Sequence, residues 1–245
     1  MGSVQPDPSC APLFASLRAR TPARIGLGRT GDSLPLSEQL DLQQAHARAR
    51  DAVHGQVDFA ALAAALAPRP SIQVRSQAAD RATFLRRPDL GRLLAEADLP
   101  RLDGVRGSYD LAIIIADGLS ASAVNTYAAA TAKAILTEAE GYRIAPIVFA
   151  HEARVALADE IGERLGAGAT AMLIGERPGL TISDSLGIYV TAWPRPGRAD
   201  SERNCISNIN AHGLTPEAAG RLCGVILSMA RQLGRTGTEL KPPAL

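Results

Sequence analysis

Lysine is nearly missing from this chain. Lys133 and Lys241 are the only two among 245 residues, so almost all of the positive charge is arginine. The formal net charge is +1, which leaves no basic field to hold a nucleic-acid backbone. Cysteine is scarce as well. Cys10, Cys205 and Cys223 are too few and too far apart for a disulfide framework or a zinc site, and they suit a reducing cytoplasm. No apolar run approaches the ~20 residues of a membrane span, and no basic-then-apolar signal segment opens the sequence. What is present is a hydrophobic fraction of 46%, enough for a packed core in one large domain or a domain with a sizeable extension. The arginine surplus has two readings: a compositional bias, or guanidiniums making planar contacts with carboxylate, phosphate or amide groups.

In chain order, residues 1–20 are rich in Pro, Ser and Ala and read as a disordered tail. Gly26, Gly28 and Gly31 match the spacing G-x-G-x-x-G. The context fails, because a dinucleotide loop needs a buried strand before it and a helix opening inside it. Here the preceding residues are polar and Pro35 follows. A helix is predicted from Ser37, its candidate cap, to His54. It carries His46, Arg50 and His54 on one face, read as a solvated or subunit-facing stripe. Phe59–Leu66 and Asp80–Leu94 read as helices with a short strand at Ile72–Val74 between them. Residues 21–105 are therefore expected to form a mostly helical, partner-facing extension.

The period then changes. Tyr109–Ala116, Ile144–Phe149 and Ala169–Ile174 are apolar runs of strand length, with helical stretches at Ser122–Glu140 and Glu152–Leu165 between them. Such alternation predicts right-handed crossovers and a parallel sheet. Leu186–Val190 follows a loop and is placed at an edge. A last helix over Leu214–Leu233 opens on Thr215-Pro216-Glu217, and residues 235–245 read as a flexible tail. The fold class is thus α/β: a small Rossmann-like open parallel sheet over residues 106–234, with the helical extension before it. In such sheets ligands bind beyond the carboxyl ends of the strands, here Asp117-Gly118, the segment around His151, and Gly175-Glu176-Arg177.

Three stretches carry a family resemblance: Ile174-Gly175-Glu176-Arg177-Pro178-Gly179-Leu180, Pro194-Arg195-Pro196-Gly197-Arg198 and Arg203-Asn204-Cys205-Ile206-Ser207-Asn208-Ile209. Together with the segment around Gly26–Gly31 and Gln43–His54, they resemble the small subunit of ethanolamine ammonia-lyase over most of residues 24–233. The resemblance implies adenosylcobalamin as cofactor and a large subunit, a β/α barrel, as partner in a hetero-oligomer. That partner supplies the substrate pocket and the radical chemistry that turns ethanolamine into acetaldehyde and ammonia. The small subunit helps to seat the cobalamin, and the family's contacts fall on Val155, Glu176 and Cys205. No catalytic residue and no metal ligand is implied on this chain. The implied compartment is the cytoplasm, or a bacterial microcompartment within it.

Many cobalamin-binding Rossmann domains carry Asp-x-His-x-x-Gly after the first strand, where the histidine ligates cobalt. The loop here reads Asp117-Gly118-Leu119-Ser120-Ala121-Ser122. Leu119 has no lone pair to offer, so the cofactor's own benzimidazole is the expected lower ligand. Two other readings stay open at this stage. One is a stand-alone Rossmann-like module for a nucleotide or flavin. The more remote one is a hydrolase using Ser120 or Cys205, for which the chain has no nucleophile elbow.

Overall fold

A computed structural model describes residues 12–242. Six strands form one sheet: β1 (Ser71–Arg75), β2 (Ala112–Ala116), β3 (Ile147–His151), β4 (Ala169–Gly175), β5 (Leu186–Ala192) and β6 (Asn204–Ile209). Their order is β1-β3-β2-β4-β5-β6. The first four are mutually parallel, while β4–β5 and β5–β6 pair antiparallel. The protein is therefore mixed α/β.

Side-chain alternation divides the interior into two layers. On one face Ile113, Ile115, Leu173, Ile188 and Val190 pack against α6 (Ala121–Glu138), α8 (Pro216–Leu233) and Phe59 and Leu62 of α3 (Phe59–Ala65). On the other, Ala112, Ile114, Ala116 and Met172 meet Leu102 of α5 (Leu99–Asp103) and Leu157, Ile161 and Leu165 of α7 (Leu157–Leu165). Strands β2 and β4 are buried throughout, as strands covered on both faces must be. Small residues let α6 and α8 approach closely: a Cβ on Gly220 would fall 2.4 Å from that of Ala134. Thr215 caps α8 by accepting from the Ala218 N–H, with Pro216 in the first turn, as the sequence predicts.

Several expectations need correction. Leu186–Val190 is not at an edge. β5 lies between β4 and β6, and β6 has no counterpart in the sequence reading. The helix expected over Asp80–Leu94 ends at Arg86 as α4 (Arg81–Arg86), because Pro88 forces Arg87 out of helical geometry. The helix expected from Glu152 starts only at Leu157. Glu152 has a positive φ of 51°, and its N–H and that of Ala153 are taken by Asp117. Pro35, not Ser37, stands at the cap of α2 (Leu36–His54). Of the tail expected to be disordered, Pro12–Arg18 is helical as α1, and residues 1–11 lie outside the described residues. The tail after Gly234 is pinned rather than loose up to Leu240. Asn204 donates through Nδ2 to the carbonyls of Gly237 and Leu240, and Leu240 is buried; residues 243–245 lie outside the described residues.

Candidate functional site

The carboxyl ends of β2 and β4 meet over two glycines. Gly118 has φ +56°, and a Cβ there would come 2.4 Å from the Gly175 carbonyl oxygen; one on Gly175 would come 2.2 Å from the Ser120 carbonyl oxygen. Only glycine lets the two loops touch at these points. Asp117 organises the rim beside them. Its Oδ1 accepts from the N–H groups of Gly118 (2.8 Å) and Ala153 (3.1 Å), and its Oδ2 from that of Glu152 (2.7 Å). Burial, and then the charge of Glu152, nevertheless push its pKa up to about 6. Arg81 closes the network. It donates to the carbonyls of Val53, Gly118 and Leu119 and pairs with Glu152 at 3.3 Å.

Next to this framework lies a cleft of about 310 Å³ lined by Gly118, Leu119, Val155, Glu176, Arg177 and Tyr189, with Arg154 beside Val155. It lies at the carboxyl ends of β2 and β4, beside β5 and the turn before α7. Two of the three residues implied by the resemblance, Val155 and Glu176, both line this cleft. The third adjoins it: Cys205 is the cross-strand partner of the cleft residue Tyr189. Three separate segments thus bring Val155, Glu176 and Cys205 to one place.

Glu176 is held by one oxygen. Its Oε2 accepts from Ser185 Oγ at 2.6 Å and, at the longer 3.4 Å, from the Asn208 N–H. That N–H is aimed by a bulge in β6, where Asn208 adopts φ +61°. Its Oε1 lies over Gly187, where a Cβ would come within 3.0 Å, and accepts no hydrogen bond among the described residues. A half-buried carboxylate oxygen left without a donor is suited to an incoming N–H.

The thiol of Cys205 is not poised for attack. Desolvation of its sulfur, and to a smaller degree the Glu176 carboxylate, push its pKa up, so it stays protonated at neutral pH. Burial, then Cys205, likewise raise the Tyr189 hydroxyl. Ser120 is equally unsuited to nucleophilic work. It is fully buried, caps α6 by accepting from the Ala123 N–H, and donates to the Ser183 carbonyl. The glycines at 26, 28 and 31 all have positive φ in a loop with no strand before it, so no dinucleotide cradle forms there.

Sequence reasoning missed Arg154, Leu119 and Tyr189 as cleft residues. Tyr189 had a faint signal, being the one aromatic in an otherwise aliphatic strand. Arg154 had none beyond its place next to Val155.

Residues 12–241 match the family model described as "Ethanolamine ammonia-lyase light chain (EutC)". The chain is 48% identical over 239 residues to the ethanolamine ammonia-lyase small subunit of Xanthomonas campestris pv. campestris, covering 94% of this chain and 88% of that one. It is 47% identical over 247 residues to the small subunit of Pseudomonas aeruginosa, covering 98% and 90%. With that of Pseudomonas syringae pv. tomato it shares 46% over 252 residues, covering 100% and 88%. The family model spans nearly all the described residues and the relatives are matched over almost their whole length, so the chain belongs to the ethanolamine ammonia-lyase small-subunit family.

Proposed function

We propose that this chain pairs with a large subunit to form an adenosylcobalamin-dependent lyase that converts ethanolamine to acetaldehyde and ammonia, and that its own task is to seat the cofactor at the subunit interface. The observation that carries this reading is the convergence of Val155, Glu176 and Cys205 on one open cleft. The donor set fits the group. Cobalamin presents a fringe of amides, a phosphate-bearing tail and an apolar benzimidazole. Glu176 Oε1 is open to an amide N–H, and Leu119, Val155 and Tyr189 supply an apolar wall. When bound, the cofactor supplies the radical chemistry. The residues of this chain bind and orient it, and none acts as acid, base or nucleophile.

The parallel run β1-β3-β2-β4 supports describing this part as Rossmann-like, with β5 and β6 as an antiparallel addition. Leu34, Leu36 and Leu40 stand exposed at the start of α2, which supports the segment over residues 21–105 as the face turned to the large subunit. Two unpaired cysteines, Cys205 and Cys223, are in keeping with a reducing cytoplasm or a microcompartment within it. Among the described residues no helix is long and apolar enough to cross a membrane.

The test is co-expression with the large chain and titration of the purified complex with cobalamin, followed by its absorption spectrum. A stable complex that binds cobalamin and deaminates ethanolamine is expected, with no activity from this chain alone. Deamination by the isolated small chain, or a complex that ignores cobalamin, overturns the reading.

A further inference from the structure

The cleft has an unbalanced charge. Arg154 stacks on the Phe84 ring, its guanidinium carbon 4.2 Å from the centroid, and donates through Nη2 to the Phe84 carbonyl at 3.2 Å. Its Nε is buried without any acceptor. No carboxylate pairs with it among the described residues. Most of the charges around it are of its own sign: after burial itself, Arg81, Arg177 and Arg92 lower its pKa, and Asp117 alone opposes them. Arg81 is already engaged by Glu152 and three backbone carbonyls. Arg177, which also lines the cleft, is exposed and makes no hydrogen bond or ion pair among the described residues. Asp117 keeps its charge but spends its oxygens on three backbone N–H groups and lies 3.9 Å from Arg81, and it makes no ion pair with Arg154 or Arg177. Glu176 leans the other way, toward Ser185 and Gly187.

A guanidinium held in place by stacking and by a backbone bond, and lacking a counter-charge, is prepared for an anion brought from outside. Its neighbours repel one another until that anion arrives. We propose that Arg154 and Arg177 together form a subsite for a phosphate-class anion, and that it receives the phosphodiester of the cofactor's nucleotide tail. This rests on the cofactor-seating reading above. The ring's amide side chains are neutral, so the phosphodiester is the one anionic group the cofactor offers. Glu176 and the arginine pair then divide the cofactor between them. The carboxylate meets an amide of the ring and the guanidiniums meet the tail, with Leu119 and Val155 between. The same pair could instead hold free phosphate, which shares the chemistry.

The experiment uses the complex with the large chain and measures equilibrium binding by absorption, without turnover. Two probes are compared: cyanocobalamin, and cobinamide, which lacks the nucleotide tail and its phosphate. Arg177→Gln is expected to weaken cyanocobalamin by about tenfold or more while leaving cobinamide within about twofold. Glu176→Gln is expected to weaken both probes alike. Arg154→Lys, which keeps the charge and loses the planar fork, is expected to follow Arg177→Gln to a smaller extent. Because Arg177 is exposed, its variant tests the idea even if substitution at Arg154 disturbs folding. Equal losses for both probes with Arg177→Gln, or no loss for either, overturn the subsite. So does inorganic phosphate that binds at the pair in a complex whose cyanocobalamin affinity is indifferent to Arg177. Failure of the unaltered complex to bind either probe counts against the seating reading instead.

Discussion

Asp159 and Arg203 form a bidentate ion pair deep in the protein, Oδ1 to Nη1 at 2.5 Å and Oδ2 to Nη2 at 2.7 Å. Their side chains are 1% and 2% exposed. Arg203 also reaches Thr191 Oγ1 and the Arg198 carbonyl. The pair ties α7 to the start of β6, two residues before Cys205, and so fixes how the open strand pair stands against the turn carrying Val155. Removing one partner leaves a buried charge uncompensated. Asp159→Leu or Arg203→Met alone should each cost about 3–5 kcal/mol of stability. The double variant Asp159→Leu with Arg203→Met should lose less than the sum. Denaturant unfolding of the four proteins checks this, and strict additivity would contradict it.

Glu176→Gln should weaken cobalamin binding by the assembled enzyme by roughly 1.5–3 kcal/mol, the worth of a hydrogen bond to a charged group. The rate at saturating cofactor should be little changed. Ser185→Ala should give a smaller loss, because it frees the Oε2 side of the carboxylate without removing the charge. A cofactor titration of activity separates the two parameters. A collapsed maximal rate at unchanged affinity would speak against a seating role.

Cys205→Ser should be mild. The thiol is kept protonated by its desolvation and stands beside Tyr189 on the neighbouring strand, a place that a hydroxyl can take as well. Cofactor affinity should shift by no more than a few fold, about 1 kcal/mol. Complete loss of activity in this variant would reopen the case for a nucleophile.

Asp117 should leave a mark on the pH dependence of stability. Its folded pKa, about 6, lies above the ordinary aspartate value of 3.8, so the folded state binds this proton more tightly than the unfolded state does. Its contribution to stability is therefore greatest below about pH 4 and declines as the pH rises to about 6, by about 3 kcal/mol in all. The difference in unfolding free energy between the native protein and Asp117→Asn, measured from pH 4 to 7, should show this decline. A difference that is flat, or that rises with pH, would refute it.

Leu119 lines the cleft where a cobalt-ligating histidine would have to stand. The histidine nearest a strand end, His151, sits 3.1 Å from Gln73 and packs edge-on against Phe59; His46 and His54 are exposed on α2. The lower ligand of cobalt should therefore be the cofactor's own benzimidazole. Labelling all protein histidines with ¹⁵N should leave the nitrogen splitting of the Co(II) spin resonance spectrum unchanged. An altered splitting would identify a protein ligand.

Much of this molecule is determined locally. The runs ending in Ala116, Phe149 and Ile174 are strands because continuous β-branched and aliphatic side chains suit a pleated surface buried on both faces. Thr215-Pro216 starts a helix wherever it stands. The signature around Glu176 and Cys205 is likewise a property of the chain itself, and the family was legible from it.

What only the tertiary structure decided depends on pairing between distant segments. β6 shows no apolar run, because Cys205, Ser207 and Asn208 are exposed and only Ile206 and Ile209 are buried. It is a strand because β5 offers it hydrogen-bonding partners, and β5 becomes an interior strand for the same reason. Glu176 comes to the same cleft as Leu119 only because two glycines let the loops after β2 and β4 touch. Arg154 lacks an ion-pair partner among the described residues because the fold sets Arg81, Arg92 and Arg177 around it while Asp117, the one acid that favours its charge, is bonded to backbone N–H groups. Propensity acts over a few neighbouring residues. Charge balance and burial are sums over everything that the fold brings within a few ångströms, and those sums do not exist until the chain has closed.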